Sequence, residues 1–135
     1  MMISVSVQIQ APLSQVWEAY TDPAHIVHWN AASDDWHTTS SRVDLREGGH
    51  FSSRMEARDG SEGFDFEGVY QRIVAHEVIE YEFGGRTARI SFSASGDTSR
   101  VIVEFEPEST HPVDVQQGGW QAILNNFKKY VESSL

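Results

Sequence analysis

The sequence predicts an α+β fold: a curved antiparallel sheet of about seven strands, with two short helices after the first strand, wrapped around a long C-terminal helix. Three observations predict it. Apolar residues alternate with polar ones at the start, adopt a helical spacing after residue 10, and return to alternation through the middle of the chain. Glycine-containing pairs punctuate that middle region at hairpin spacing. From His111 onward one apolar stripe recurs at helical spacing. Strands and helices are segregated along the chain, which favours an α+β arrangement over a parallel sheet with alternating crossovers.

The elements follow in order. In "ISVSVQIQ", Ile3, Val5, Val7 and Ile9 oppose Ser4, Ser6, Gln8 and Gln10, the pattern of a half-buried strand. "APLSQVWEAY" then places Leu13, Val16, Trp17 and Tyr20 at i, i+3, i+4 and i+7, with Pro12 suited to a first helical position. Asp22 followed by Pro23 restarts a second short helix, with Ile26 and Trp29 on its inner side and Asn30 at its end. Six strands are expected next, separated by Gly48-Gly49, Asp59-Gly60, Gly84-Gly85 and Gly96-Asp97. One of them, "FDFEGVYQRIV", sets Phe64, Phe66, Gly68 and Tyr70 on one face. The final helix carries Trp120, Ile123, Leu124, Phe127 and Val131, with Lys128 and Lys129 late in it, where cations suit the macrodipole. Gly118 and Gly119 sit inside the helical pattern, and Ser53 and Gly68 are small residues on presumed inner faces. Together they either leave a cavity, mark the helix start or admit a bulky neighbour.

Composition limits the function. At 135 residues and 39% hydrophobic, the chain is long enough for one globular domain spanning residues 1–135. No apolar run approaches the ~20 residues of a membrane span, and "MMISVSVQIQ" lacks the features of a secretory signal, so a cytoplasmic location is expected. Without cysteine there is neither a disulfide nor thiolate chemistry. A formal charge of −10 disfavours nucleic acid, whose phosphates are bound by Lys and Arg.

Four stretches, in order, carry a resemblance: "APLSQVWEAYTDPAHIVHW", "VDLREGGHFSSRMEARDG", "FEGVYQRIV" and the "GGW" of the last helix. The chain resembles the START-like (SRPBCC, Bet v 1-type helix-grip) superfamily and, within it, homologues of the heat-shock-protein-90 ATPase activator C-terminal domain. The resemblance covers essentially the whole chain. It implies the helix-grip fold and a cavity between the sheet and the last helix. It fixes no single function, because the superfamily includes lipid and hormone carriers, polyketide cyclases and co-chaperone domains. The family pattern has a further aromatic or glycine-rich stretch after Trp29. Here "NAASDDWH" stands instead, which implies a more acidic pocket mouth.

Candidate chemistry is sparse. His25 and His28 lie a helical turn apart, and Asp34, Asp35 and His37 follow, so ligand types for a metal are present. No recognised metal spacing accompanies them, and they read better as the solvated side of a helix over the pocket mouth. Neither a nucleophile elbow nor a phosphate loop is present, and no catalytic residue, cofactor or metal is nominated. Strand parity places His50, Arg54 and Glu56 on a solvated face opposite Phe51 and Met55. The residues expected to contact a ligand are Trp29, Phe51, Met55, Phe66, Tyr70, Trp120 and Leu124, with the Tyr70 hydroxyl able to orient it. The best-supported reading is a binding module for a small hydrophobic or amphipathic molecule, as a monomer or homodimer. A co-chaperone acting on a heat-shock-protein-90-type ATPase, and a small cyclase or hydrolase, are the alternatives.

Overall fold

The computed structural model describes residues 2–134. Strand β1 (Ile3–Ile9) leads into α1 (Leu13–Thr21) and α2 (Pro23–Trp29). Six strands follow: β2 (Trp36–Val43), β3 (His50–Ala57), β4 (Gly63–Val74), β5 (Val78–Phe83), β6 (Arg86–Ser95) and β7 (Thr98–Phe105). Helix α3 (Val113–Ser133) ends the chain. The sheet is antiparallel throughout, in the order β1-β7-β6-β5-β4-β3-β2, and it curls into a half-barrel. Strands β2 to β7 form a continuous meander, and β1 closes it by pairing with β7. The left-handed pair Gly84 and Gly85 makes the tight β5–β6 turn, in which both central residues have positive φ.

The alternation read from the sequence is the alternation that buries the core. Ile3, Val5, Val7 and Ile9 all face inward, opposite Phe105, Val103, Val101 and Ser99 across the ladder. Ser99 is the polar exception, and its hydroxyl donates to the Ala11 carbonyl at 2.8 Å, so its burial leaves no bond unmade. A bulge between Tyr70 and Arg72 changes the parity of β4, so that Ile73 rather than Arg72 continues opposite Ile79. The Asp22 side chain accepts from the Ala24 amide at 2.9 Å, capping α2 as its Asp-Pro start predicts.

Helix α3 lies against β1, and its polar side chains occupy that strand's free edge. Gln117 and Gln121 donate to the Ser4 and Ser6 carbonyls at 3.2 and 3.1 Å, and Lys128 to the Gln8 carbonyl at 2.5 Å. Glu132 accepts from the Gln10 amide at 2.8 Å and pairs with Lys128. An edge strand that would otherwise offer unpaired backbone groups is thereby closed. Lys128 is thereby committed to the β1 edge and to Glu132.

The helix begins at Val113, well before the glycine pair. Gln116, buried in its first turn, exchanges hydrogen bonds with the Glu108 backbone and donates to the His111 carbonyl, fixing the approach to the helix. A methyl group added at Gly118 or Gly119 meets nothing within 4 Å, so neither close packing nor a helix start explains them. Replacing both with alanine should therefore stabilise the fold by about 1 kcal/mol each. The expected rise in thermal midpoint is roughly 5–10 °C for the double variant, and an unchanged or lowered midpoint in a melting experiment would contradict this.

Candidate functional site

A cavity of about 120 Å³ lies between the inner face of the sheet, the two short helices and α3. Helices α1 and α2 with the residue after them contribute Tyr20, Thr21, Ile26, Trp29 and Asn30. The first three meander strands contribute Val43, Phe51, Ser53, Phe66 and Tyr70. Ile79, Tyr81 and Val103 form the floor, and Trp120, Ile123 and Leu124 of α3 close the remaining side. None of these residues is charged.

Each large wall residue is held by an identifiable contact. The Trp29 indole nitrogen donates to the Ala19 carbonyl at 3.0 Å, which fixes the ring 4.8 Å from Phe127 and 5.2 Å from Tyr20. Trp120 stacks on Phe105 with centroids 4.0 Å apart and planes within 11°. Its other neighbours are Phe83 and Phe66, at 5.6 and 6.2 Å. Phe51 packs edge-on to Tyr81 at 4.8 Å and beside Tyr70 at 5.2 Å. The edge-on contacts of Trp29 with Phe127 and of Phe51 with Tyr81 are of the favourable kind for aromatic pairs.

Of the residues expected from sequence to contact a ligand, Trp29, Phe51, Phe66, Tyr70, Trp120 and Leu124 meet at this cavity. Met55 does not line it. It is buried nearer the β3–β4 turn, paired across the ladder with Thr38 and Phe64. Gly68 does not open space either. The ring of Phe51, its direct partner across the ladder, lies over it, and a Cβ there would come within 2.7 Å of that ring. Ser53 does border the cavity, its hydroxyl 3.2 Å from that of Ser41. Tyr20, Val43, Tyr81 and Ile123 are among the lining residues outside that expected set. The strand parity that buries Ile79 and Phe83 also turns Tyr81 inward, and Tyr20 ends the α1 stripe, so both signals were in the sequence.

Three tyrosines therefore share the cavity, and burial dominates their acid–base chemistry. Burial raises the pKa of Tyr70 to about 12, with the negative charge of Asp44 adding to the effect. Burial also pushes Tyr20 and Tyr81 above the usual phenol range, reinforced in Tyr20 by Tyr70 and in Tyr81 by both other tyrosines. Arg86 opposes the shift at Tyr81 without reversing it. All three are neutral hydrogen-bonding groups at physiological pH, and none is poised as a general base.

The histidines have a structural explanation. His25 Nδ1 lies 2.5 Å from the Tyr130 hydroxyl, and the His28 ring stacks on Tyr130 with planes 9° apart. The two bracket one side chain of α3 and clasp α2 to it. They do so partly in contact with protein, not wholly on a solvated side. Among the described residues, Glu18, Asp22 and His25 bring three ligand-type atoms within 4.8 Å of one another. Asp22 is already the α2 cap and His25 already holds Tyr130. Asp34, Asp35 and His37 are not part of that group. Asp34 and His37, with His28, Trp36, Arg58 and Lys129, line a separate open groove beyond Trp29. The acidic stretch expected at the pocket mouth thus faces outward, where Arg58 donates to the Asp34 carbonyl at 2.8 Å. The outer-face placement of Arg54 and Glu56 agrees with strand parity, and they pair at 3.0 Å.

Comparison with known proteins bears on this geometry. The sequence pattern of activator of Hsp90 ATPase homolog 1-like proteins matches residues 10–132. No curated protein matches the chain. The structure is similar to that of an AHSA1-like protein from Aeromonas hydrophila, with a TM-score of 0.94 and 44% identity over 99% of this chain and 94% of that one. It is also similar to a protein from Cytophaga hutchinsonii, with a TM-score of 0.84 and 46% identity over 98% of this chain and 92% of the other. A protein from Chromobacterium violaceum, 23% identical with a TM-score of 0.86 and 98% of each chain covered, shares the fold.

Proposed function

This chain belongs to the activator of Hsp90 ATPase homolog 1-like protein family, and from that premise we propose that it binds a small apolar or amphipathic molecule between its sheet and its C-terminal helix. The observation that carries the reading is the cavity itself: about 120 Å³, walled by aromatic and aliphatic side chains with no charged residue. An engineered apolar cavity of about 150 Å³ holds benzene, and this space is somewhat smaller, so one ring is the upper limit of what it takes without rearrangement. Larger ligands such as sterols would require Trp120 or the α2 segment to move. Trp29, Phe51, Phe66, Tyr70, Trp120 and Leu124 are the proposed contacts, and no cofactor or metal is needed for this role.

Thermal unfolding against a panel of small arenes, fatty acids, flavonoids and sterols tests it. A ligand present at about 100 times its dissociation constant should add ~2.7 kcal/mol if it binds only the folded state. For a domain of this size the midpoint should rise by on the order of 10 °C. A response confined to small ring compounds is the expected result; no response from any class would remove the basis for a carrier. The family's description supports a second reading, a co-chaperone-like interaction with an Hsp90-type ATPase. That reading requires co-purification with the chaperone and a changed ATPase rate.

A further inference from the structure

The cavity holds more uncommitted hydrogen-bonding capacity than an apolar carrier needs. Tyr20, Tyr70 and Tyr81 all line it, and among the described residues none of their hydroxyls has a hydrogen-bonding partner. Yet among the described residues no side-chain oxygen or nitrogen that is sealed from solvent lacks a partner. Each of the three hydroxyls must therefore retain contact with open space. Tyr70 and Tyr81 are buried and Tyr20 is half-buried, and the open space that all three border is the cavity. They arrive from different elements: Tyr20 from the end of α1, and Tyr70 and Tyr81 as cross-strand partners on β4 and β5.

Three points define what such a site accepts. A phenolic O–H is a better donor than acceptor, so three free hydroxyls call for acceptor atoms on the guest. A guest that displaces their water without replacing the bonds leaves polar groups unpaired, which is costly in a dry site. No cation lines the cavity to compensate an anion, and Asp44 lies close enough to Tyr70 to oppose one further. Volume limits the guest to about one ring.

We propose that the cavity selects a neutral, single-ring aromatic compound bearing a carbonyl-type oxygen, for which the hydroxyls of Tyr20, Tyr70 and Tyr81 are the available donors. This rests on the ligand-binding reading above and narrows it to a chemical class. It sets apart one-ring aryl ketones, aldehydes and quinones from fatty acids, whose carboxylate would enter without a counter-charge.

The test uses four probes of similar size and different polarity: acetophenone, isopropylbenzene, benzoate and 1-phenylethylammonium. Dissociation constants come from titrations followed by NMR on the whole chain. Acetophenone should bind at least fivefold tighter than isopropylbenzene, the factor that corresponds to about one net hydrogen bond. Benzoate and the ammonium compound should bind at least tenfold more weakly than acetophenone. The substitutions Tyr20→Phe, Tyr70→Phe and Tyr81→Phe keep the rings. Singly they should each reduce the acetophenone preference, and together they should abolish it while isopropylbenzene still binds. Equal binding of acetophenone and isopropylbenzene to the unaltered protein, or benzoate as the tightest ligand, would overturn the selectivity and leave the carrier reading standing. Failure of all four probes with the folded protein would overturn the proposal, and the carrier reading falls with it only if the wider panel of fatty acids, flavonoids and sterols also gives no response.

Discussion

Replacing Phe127 with alanine should destabilise the protein by about 3–5 kcal/mol, the usual range for emptying a fully buried aromatic site. Phe127 has no exposed surface, and its ring sits 4.8 Å from Trp29 and 5.2 Å from Tyr20. It is the point at which α3 meets α1 and α2 at once. Native domains hold only about 5–15 kcal/mol in reserve, so the thermal midpoint should fall by roughly 10–20 °C. The informative control is Phe64→Ala. Alternation alone puts Phe64 on the same face of its strand as Phe66, but it is 48% exposed near the β3–β4 turn, where it meets Trp36. Its removal should change stability by no more than about 0.5 kcal/mol. Equilibrium unfolding of both variants decides the matter. A loss below 1 kcal/mol at Phe127, or an equal loss at the two positions, would contradict the packing described.

The difference between those two phenylalanines shows what a single sequence can and cannot disclose. Periodicity reports which side of a strand or helix a residue occupies, and it did so throughout β1, α1, α2 and α3. It says nothing about how far along the strand the cover extends. Phe64 and Met55 have the parity of the inner face but lie toward the turn, past the end of the cavity. The architecture was therefore legible, because hairpin turns, changes of period and capping residues are local signals. The cavity was half legible. Its aromatic walls followed from parity, and the α1 stripe turned Tyr20 inward, but that Tyr20 shares one cavity with Tyr70 and Tyr81 depends on how α1 sits over the sheet. That is a tertiary fact. The histidines were misleading for a related reason: His25 and His28 are close in sequence, but the residue that explains them, Tyr130, is on the last helix.

Gly68→Ala should be the other severe substitution, and its effect runs opposite to that of a cavity. On the sequence alone a glycine facing inward reads as empty space. Counting outward from the Asp59-Gly60 turn places Phe51 opposite it, and the structure shows that ring lying on the glycine. An added Cβ would stand 2.4 Å from the Glu82 carbonyl oxygen and 2.7 Å from the Phe51 ring. The ring can swing, but the carbonyl belongs to the backbone of β5, so part of the overlap must be absorbed by a shift of the sheet. Overpacking of this kind costs typically 1–3 kcal/mol. The direction in which Phe51 can yield matters for function, because its open side is the cavity. The ring would move into space that a ligand needs, so stabilisation by one-ring compounds should fall in the same variant. Pairing the substitution with Phe51→Leu separates the two contacts: a smaller side chain at 51 relieves the ring overlap and leaves the carbonyl one. The double variant should therefore lose less than the sum of the two singles, by about 1 kcal/mol, as contacting residues do when they share one strain. Strict additivity would mean that the Glu82 carbonyl alone sets the cost, and an unchanged ligand response in Gly68→Ala would mean that Phe51 yields away from the cavity.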